Sequence, residues 1–251
     1  LDDSEKLNIL KFVTEKAAGR VSVVVSGHTN PDVNKTIEQM KEYSETGADA
    51  VVLISNLLAT EEQDKDIFKK NFSKIMDGTG DIPMGIYECP YPFKYVLPDD
   101  IVKWCAESGR VHFVKDTCCD IDIIKRRIDI IKDTPMMIFN ANTATILESL
   151  RYGCHGYSGV MANFHPRLYK WLYENINDVN ASKLSAILTS AALIEYVSYP
   201  RCAKKYLKRH INIGDYTRKP DQTISACNIK DIEAVAELTD NIALEIIGGL
   251  K

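Results

Sequence analysis

The sequence predicts an α/β fold built on a parallel sheet, and three features carry that expectation. Short apolar runs rich in β-branched residues alternate with helix-length segments almost to the end of the chain. The runs are continuously apolar rather than alternating, as in strands covered on both faces by helices. Beyond about residue 166 the pattern is helical only. With 251 residues there is room for one large α/β domain or two small ones.

Residues 4–18 read as a helix with Leu7, Ile9, Leu10 and Val13 apolar, and Val21 to Val25 as a strand buried on both faces. Gly27-His28-Thr29-Asn30-Pro31-Asp32 is a turn into a helix over 33–46. The strand 50–54, a helix over 61–76 and the strand 83–87 follow. Pro98-Asp99-Asp100 opens a helix through Ser108, with proline and acids where a helix start favours them. The strand 111–115 leads to a helix over 120–132, the strand 135–139 to one over 142–152, and the strand 154–158 to one after Pro166. Helices over 166–176, 180–196, 199–211 and 229–248 complete the chain, with a loop from Gly214 to Gln222 that contains Arg218-Lys219-Pro220. Six strands, each followed by a helix, leave two arrangements. A closed (β/α)₈ barrel needs two more strands than these. An open doubly wound sheet lacks its phosphate fingerprint here, because Gly27-His28-Thr29 has only one glycine.

Composition narrows the function. At 45% hydrophobic and 26% charged the chain is ordinary for a soluble globular protein. A formal charge of −4, with no Lys/Arg cluster, argues against a nucleic-acid partner. No apolar stretch approaches the ~20 residues of a membrane span, and Leu1-Asp2-Asp3-Ser4-Glu5 does not read as a signal peptide. Seven cysteines without a CxxC pair read as reduced thiols of a cytoplasmic protein.

Chemistry is expected at strand ends. Lys115 closes the run Val111-His112-Phe113-Val114 and is followed by Asp116-Thr117-Cys118-Cys119. In a parallel barrel the carboxyl ends of strands form the reactive rim. A lysine desolvated there loses its proton and attacks a carbonyl carbon. Tyr87 ends the run Pro83-Met84-Gly85-Ile86, and the spacing to Lys115 fits one helix, one strand and their loops. A phenol beside an amine suits proton transfer during imine chemistry. His28, His112, His155 and His165 are scattered without metal-ligand spacing, so no metal site is expected. His112 is expected to be packed within its strand, and His165, just after Asn163, is a further candidate for touching substrate. Asp116 orients its loop or is a solvated carboxylate. Arg126-Arg127 is expected on a solvated helix face, and Cys118-Cys119 as an unremarkable loop pair.

Three segments in order, Ile86-Tyr87-Glu88-Cys89-Pro90, Phe113-Val114-Lys115-Asp116-Thr117 and Gly156-Tyr157-Ser158-Gly159-Val160-Met161-Ala162-Asn163, resemble the dihydrodipicolinate synthase/N-acetylneuraminate lyase family. Leu1 to Leu10 and Gly47-Ala48-Asp49-Ala50-Val51 are similar to family segments as well. The resemblance implies a TIM (β/α)₈ barrel of which this chain supplies about six strands, plus a helical carboxyl-terminal extension. Residues 1–178 would be the barrel portion and 179–251 the helical region packed on it. It implies a class I lyase or aldolase that binds pyruvate or a related 2-oxo acid as a lysine imine, without metal or organic cofactor, in a homo-oligomer (dimer or tetramer). Lys115 then matches the imine-forming lysine and Tyr87 the proton-relay tyrosine. Tyr157 and Ser158 lie on the strand lining the keto-acid pocket.

The departures are as informative. The family's Gly-Thr-Thr-Gly-Glu segment and the strands around it do not occur, so the sequence is expected to be a fragment of a longer polypeptide. The other reading is an incomplete, catalytically degenerate member used for ligand sensing or assembly. Synthases carry Thr-Pro-Tyr-Tyr where this chain has Ser55-Asn56-Leu57-Leu58, and an arginine where it has Pro92. Lys94 is the only nearby cation for a substrate carboxylate. The second substrate is therefore expected to be an aldehyde other than that of a true dihydrodipicolinate synthase. A phosphate-binding barrel fits less well, because Asn140-Ala141-Asn142 and Tyr157-Ser158-Gly159 are not glycine-rich cradles.

Overall fold

A computed structural model describes residues 1–26, 30–60, 65–197, 199–214, 216–217 and 226–248. Residues 27–29 of the turn expected at 27–32, with His28, and the Arg218-Lys219-Pro220 stretch lie outside them. The backbone forms two compact units, Leu1–Phe139 and Asn140–Lys251.

The first unit opens with helix α1, Asp3–Ala17. Asp2 caps it reciprocally: its side chain accepts from the Glu5 N–H at 2.8 Å while the Glu5 carboxylate accepts from the Asp2 N–H at 3.0 Å. No α1 residue is buried. Strand β1, Val24–Ser26, is shorter than the run that suggested it. Only Val25 is buried, whereas Val21 and Val24 are exposed, so this strand is not covered on both faces. In the sheet order β1-β2-β3-β4-β5-β6 it is a terminal strand.

Helix α2 (Val33–Ser44) is capped by Asp32, whose carboxylate accepts from the N–H groups of Asn34 and Lys35. Strand β2 (Ala50–Ile54) follows, then helix α3 (Lys65–Thr79), β3 (Met84–Tyr87), α4 (Asp99–Glu107), β4 (Val111–Asp116), α5 (Ile121–Ile131) and β5 (Met137–Asn140). The first four strands are parallel, with Val25 opposite Val51, Val51 opposite Met84 and Tyr87 opposite Lys115. Leu53, Met84 and Ile86 are buried in the sheet, and Phe68, Phe72, Ile75, Ile101 and Ile124 are buried on the helices, so both strands and helices contribute to the apolar interior.

The second unit holds α6 (Ile146–Tyr152), β6 (Gly156–Tyr157), α7 (Pro166–Glu174), α8 (Ala181–Ala191) with a 3₁₀ continuation over 192–196, α9 (Arg201–Lys208) and α10 (Ala226–Ile247). Helix α6 starts later than its sequence suggests. Asn142 Oδ1 takes the Thr145 N–H at 3.1 Å and Asn140 Oδ1 takes the Asn142 N–H at 2.7 Å, side-chain bonds that hold 140–145 as a turn. Leu168, Leu172, Leu184 and Leu188 fill this unit's core. Among the described residues no helix is long and apolar enough to cross a membrane.

Gly85 lies at an irregularity between β3 and β4, and the Phe113 ring occupies the space that a side chain there would need. A Cβ there would stand 2.3 Å from the ring. Gly85→Ala should lose about 1–3 kcal/mol in urea unfolding through forced displacement of the ring. Unchanged stability would show that the ring moves freely.

Candidate functional site

The register that pairs β3 with β4 sets Tyr87 directly opposite Lys115 at the carboxyl ends of adjacent strands. Lys115 Nζ sits over the Tyr87 ring, 4.2 Å from its centroid. The negative face of the ring attracts the ammonium form there. Both side chains are half-buried, and among the described residues no carboxylate forms an ion pair with Lys115. Burial therefore pushes the Lys115 amine below its ordinary 10.5, against a weaker opposing pull from Cys89. The result is an amine that gives up its proton readily, beside a phenol.

On each strand the next residue points the opposite way. Glu88 and Asp116, which directly follow Tyr87 and Lys115, are fully buried and both engage Arg127 of α5. Arg127 Nη2 donates to Glu88 Oε1 at 2.8 Å and also to the Leu97 carbonyl, while Nη1 donates to Asp116 Oδ2. The remaining acceptor sites are filled by the backbone. Leu97 N–H donates to Glu88 Oε1 at 2.8 Å, Thr117 N–H to Glu88 Oε2 at 2.9 Å, and Cys118 N–H to Asp116 Oδ1 at 2.9 Å. Burial lifts the Glu88 carboxyl above its ordinary value; Arg127 pulls it down and Asp116 pushes it up again, leaving it raised.

This cluster overturns one expectation and decides another that the sequence left open. Arg127 is fully buried rather than solvated, and Asp116 is not a loop carboxylate in water. Arg126 alone is exposed, paired with Asp99 at 3.2 Å. The signal was present: Arg127 falls three residues after Ile124 and four before Ile131, on the buried face of α5. Glu88, which sequence reasoning passed over, stands in the same relation to Tyr87 as Asp116 does to Lys115.

The loop after Tyr87 is tied down from several sides. Asn56 Nδ2 donates to the carbonyls of Cys89, Tyr91 and Phe93 at 3.0, 2.9 and 2.7 Å, and Ser55 Oγ donates to the Tyr95 carbonyl at 2.9 Å. Lys94 Nζ donates to the Thr117 carbonyl at 2.7 Å, and Thr117 Oγ1 to the Glu88 carbonyl at 2.6 Å. Leu58 is buried, whereas Tyr91 is 79% exposed.

Tyr157 and Ser158 belong to the second unit. Ser158 N–H donates to the Asn140 carbonyl at 2.8 Å. The Tyr157 ring stacks on Tyr169 at 4.3 Å, and both hydroxyls meet Thr143 Oγ1, at 2.8 and 3.0 Å. Burial raises both phenols above their ordinary value. Gly159 is required beside them, since a Cβ would stand 2.0 Å from the Tyr157 hydroxyl. His112, expected to be packed, is exposed, and His165 is buried against Asp240 at 2.9 Å.

Comparison with known proteins places the chain in a family and bears on its fold. The family model described as "Dihydrodipicolinate synthetase family" matches residues 1–234. A 4-hydroxy-tetrahydrodipicolinate synthase of Staphylococcus carnosus is 28% identical over 177 residues, covering 69% of this chain and 58% of its own length. The chain thus spans less than two thirds of the length of such curated relatives. A crystal structure of a dihydrodipicolinate synthase superposes with a TM-score of 0.82 at 20% identity, covering 97% of this chain and 83% of that one. The prophage protein YagE of E. coli K12, solved in complex with pyruvate, gives a TM-score of 0.83 at 17% identity over 96% and 82%. These likenesses establish the fold as the expected (β/α) barrel portion with its helical carboxyl-terminal extension.

Arg127→Met would leave two buried carboxylates without their cation. It should lose about 3–5 kcal/mol in urea unfolding at neutral pH, and additional Glu88→Gln and Asp116→Asn changes should restore part of the loss. A loss below about 1 kcal/mol would show that the acids are reached by water.

Proposed function

The chain belongs to the dihydrodipicolinate synthetase family, and on that premise we propose that it is a class I carbon–carbon or carbon–oxygen lyase that condenses Lys115 with pyruvate or a related 2-oxo acid. One observation carries the reading: a half-buried amine, depressed by burial, lies 4.2 Å from the ring of a tyrosine on the adjacent parallel strand. The neutral Lys115 amine attacks the keto carbon, giving a carbinolamine whose oxygen takes up a proton. Loss of water leaves an iminium, and its cationic nitrogen accepts the electron pair of the bond that breaks, or releases it to the bond that forms. Tyr87 supplies and recovers the protons of these steps. The chemistry requires no metal or organic cofactor. Tyr157, Ser158 and Lys94 are the substrate-binding candidates, the last by releasing the Thr117 carbonyl to meet a carboxylate. A cytoplasmic homo-oligomer acting on a small 2-oxo acid and an aldehyde is the corresponding setting, with neither nucleic acid nor membrane as partner.

The aldehyde is proposed to differ from that of a dihydrodipicolinate synthase. Pro92 is exposed and carries no charge, Lys94 is engaged with a carbonyl, and Leu58 brings no hydroxyl. The same observations favour a second reading, a barrel that retains the 2-oxo acid pocket for sensing or assembly but performs no turnover.

Incubation with pyruvate and borohydride should add one reduced pyruvyl unit to the peptide containing Lys115, and Lys115→Ala should abolish it. An adduct on another lysine would refute the assignment, and no adduct would favour the sensing reading. Because burial lowers the Lys115 pKa, the reactive neutral form persists to lower pH than in a free lysine. Trapping should therefore persist to lower pH than the same reaction at an exposed lysine such as Lys103, and decline as pH falls further. Tyr87→Phe preserves the ring and should slow turnover by about 10²-fold or more; wild-type turnover would make the tyrosine a packing residue. With pyruvate and aspartate semialdehyde, kcat/KM should stay well below about 10⁴ M⁻¹s⁻¹, and a value at or above that would identify a true synthase.

A further inference from the structure

The second unit holds a cavity of about 650 Å³ where α7, α9 and α10 meet, built from residues that the imine chemistry does not use. Its lining includes the polar residues His165, Arg167, His210 and Asp240 and the apolar Leu207 and Leu244. That volume suits a small organic ligand rather than a single ion.

His165 directs the inference. Its side chain is fully buried, and Nδ1 lies 2.9 Å from Asp240 Oδ1. The Tyr206 hydroxyl donates to the other oxygen of Asp240. Both carboxylate oxygens are thus engaged, and although burial alone would raise Asp240, the bonds from His165 and Tyr206 hold it below its ordinary value. Nε2 of His165 is buried and has no hydrogen-bond partner. A buried polar atom without a partner is unfavourable by an amount that a ligand can recover. Asp240 is arranged to hold the imidazole in one orientation.

The surroundings specify the ligand's charge. Arg167 is exposed and, among the described residues, has no ion-pair partner. It occupies the second position of α7, whose first residue is Pro166, and no side chain caps that helix start. The Arg167 N–H therefore belongs to the unfilled amino-terminal end of the helix, which favours an anion. Arg167 and His165 both line a cavity whose one acid, among the described residues, already has both oxygens occupied. The apolar lining argues against a small inorganic anion, which would gain nothing from Leu207 and Leu244.

We propose that this cavity binds a small amphipathic carboxylic acid, with its carboxylate on Arg167 and His165 Nε2 and its hydrocarbon part against Leu207 and Leu244. With Nδ1 engaged by Asp240, Nε2 is the ring atom left for the ligand's carboxyl group.

Calorimetric titration of the full chain with 3-phenylpropionate tests this, with 3-phenylpropionamide and inorganic phosphate as the uncharged and wholly polar counterparts. One saturable site is expected for the acid, with both counterparts at least about tenfold weaker. Arg167→Gln, at an exposed position, should weaken the acid by about tenfold or more, and Arg167→Lys should recover part of the affinity. The site should be present in Lys115→Ala. Absence of saturable binding at millimolar acid, unchanged affinity in Arg167→Gln, phosphate binding as tight as the acid, or loss of binding in Lys115→Ala would each overturn the proposal.

Discussion

Arg127 is one guanidinium shared by two buried carboxylates, and those carboxylates directly follow the two residues that form the candidate reactive pair. An arginine is suited to this because its fork presents several donors in fixed directions while its charge persists at any accessible pH. One side of the fork reaches Glu88 and the Leu97 carbonyl, the other Asp116. Since alternate residues of a strand face opposite ways, fixing Glu88 and Asp116 toward the helix layer fixes Tyr87 and Lys115 toward the opposite face. The charge that organises the rim is thus kept away from the amine, which needs a neighbourhood without carboxylates if its pKa is to stay depressed.

Preorganisation of the loop follows from the same cluster. Glu88 and Arg127 both hold Leu97, Thr117 links back to Glu88, and Asn56 gathers three carbonyls of the segment after Tyr87. A rim held by so many bonds to buried groups has its geometry set before any ligand arrives.

Much of this was legible in the sequence, but unevenly. The parallel strands showed as continuous apolar runs, and Lys115 and Tyr87 were found because each terminates such a run. Their neighbours escaped notice because a carboxylate after a strand and an Arg-Arg pair in a helix are both common at surfaces. Only the joint reading of two periodicities, period two at 87–88 and 115–116 and the helical period from Ile124 through Arg127 to Ile131, brings all three charges to one place. Val21 to Val25 misled in the other direction: a β-branched run implies a strand but says nothing of which neighbours cover it, and in the structure Val24 is exposed. His165 and Asp240 are 75 residues apart in sequence, and no local pattern announces their pairing.

The central claim is that Lys115 is held as a low-pKa amine beside Tyr87, away from the carboxylates that Arg127 sequesters. Competitive acylation with trace acetic anhydride across a pH series, read lysine by lysine by mass spectrometry, measures it directly in the untreated protein. The account predicts that Lys115 titrates clearly below the exposed lysines, such as Lys103, and that Tyr87→Phe leaves it below them. A Lys115 that titrates together with the exposed lysines would contradict it.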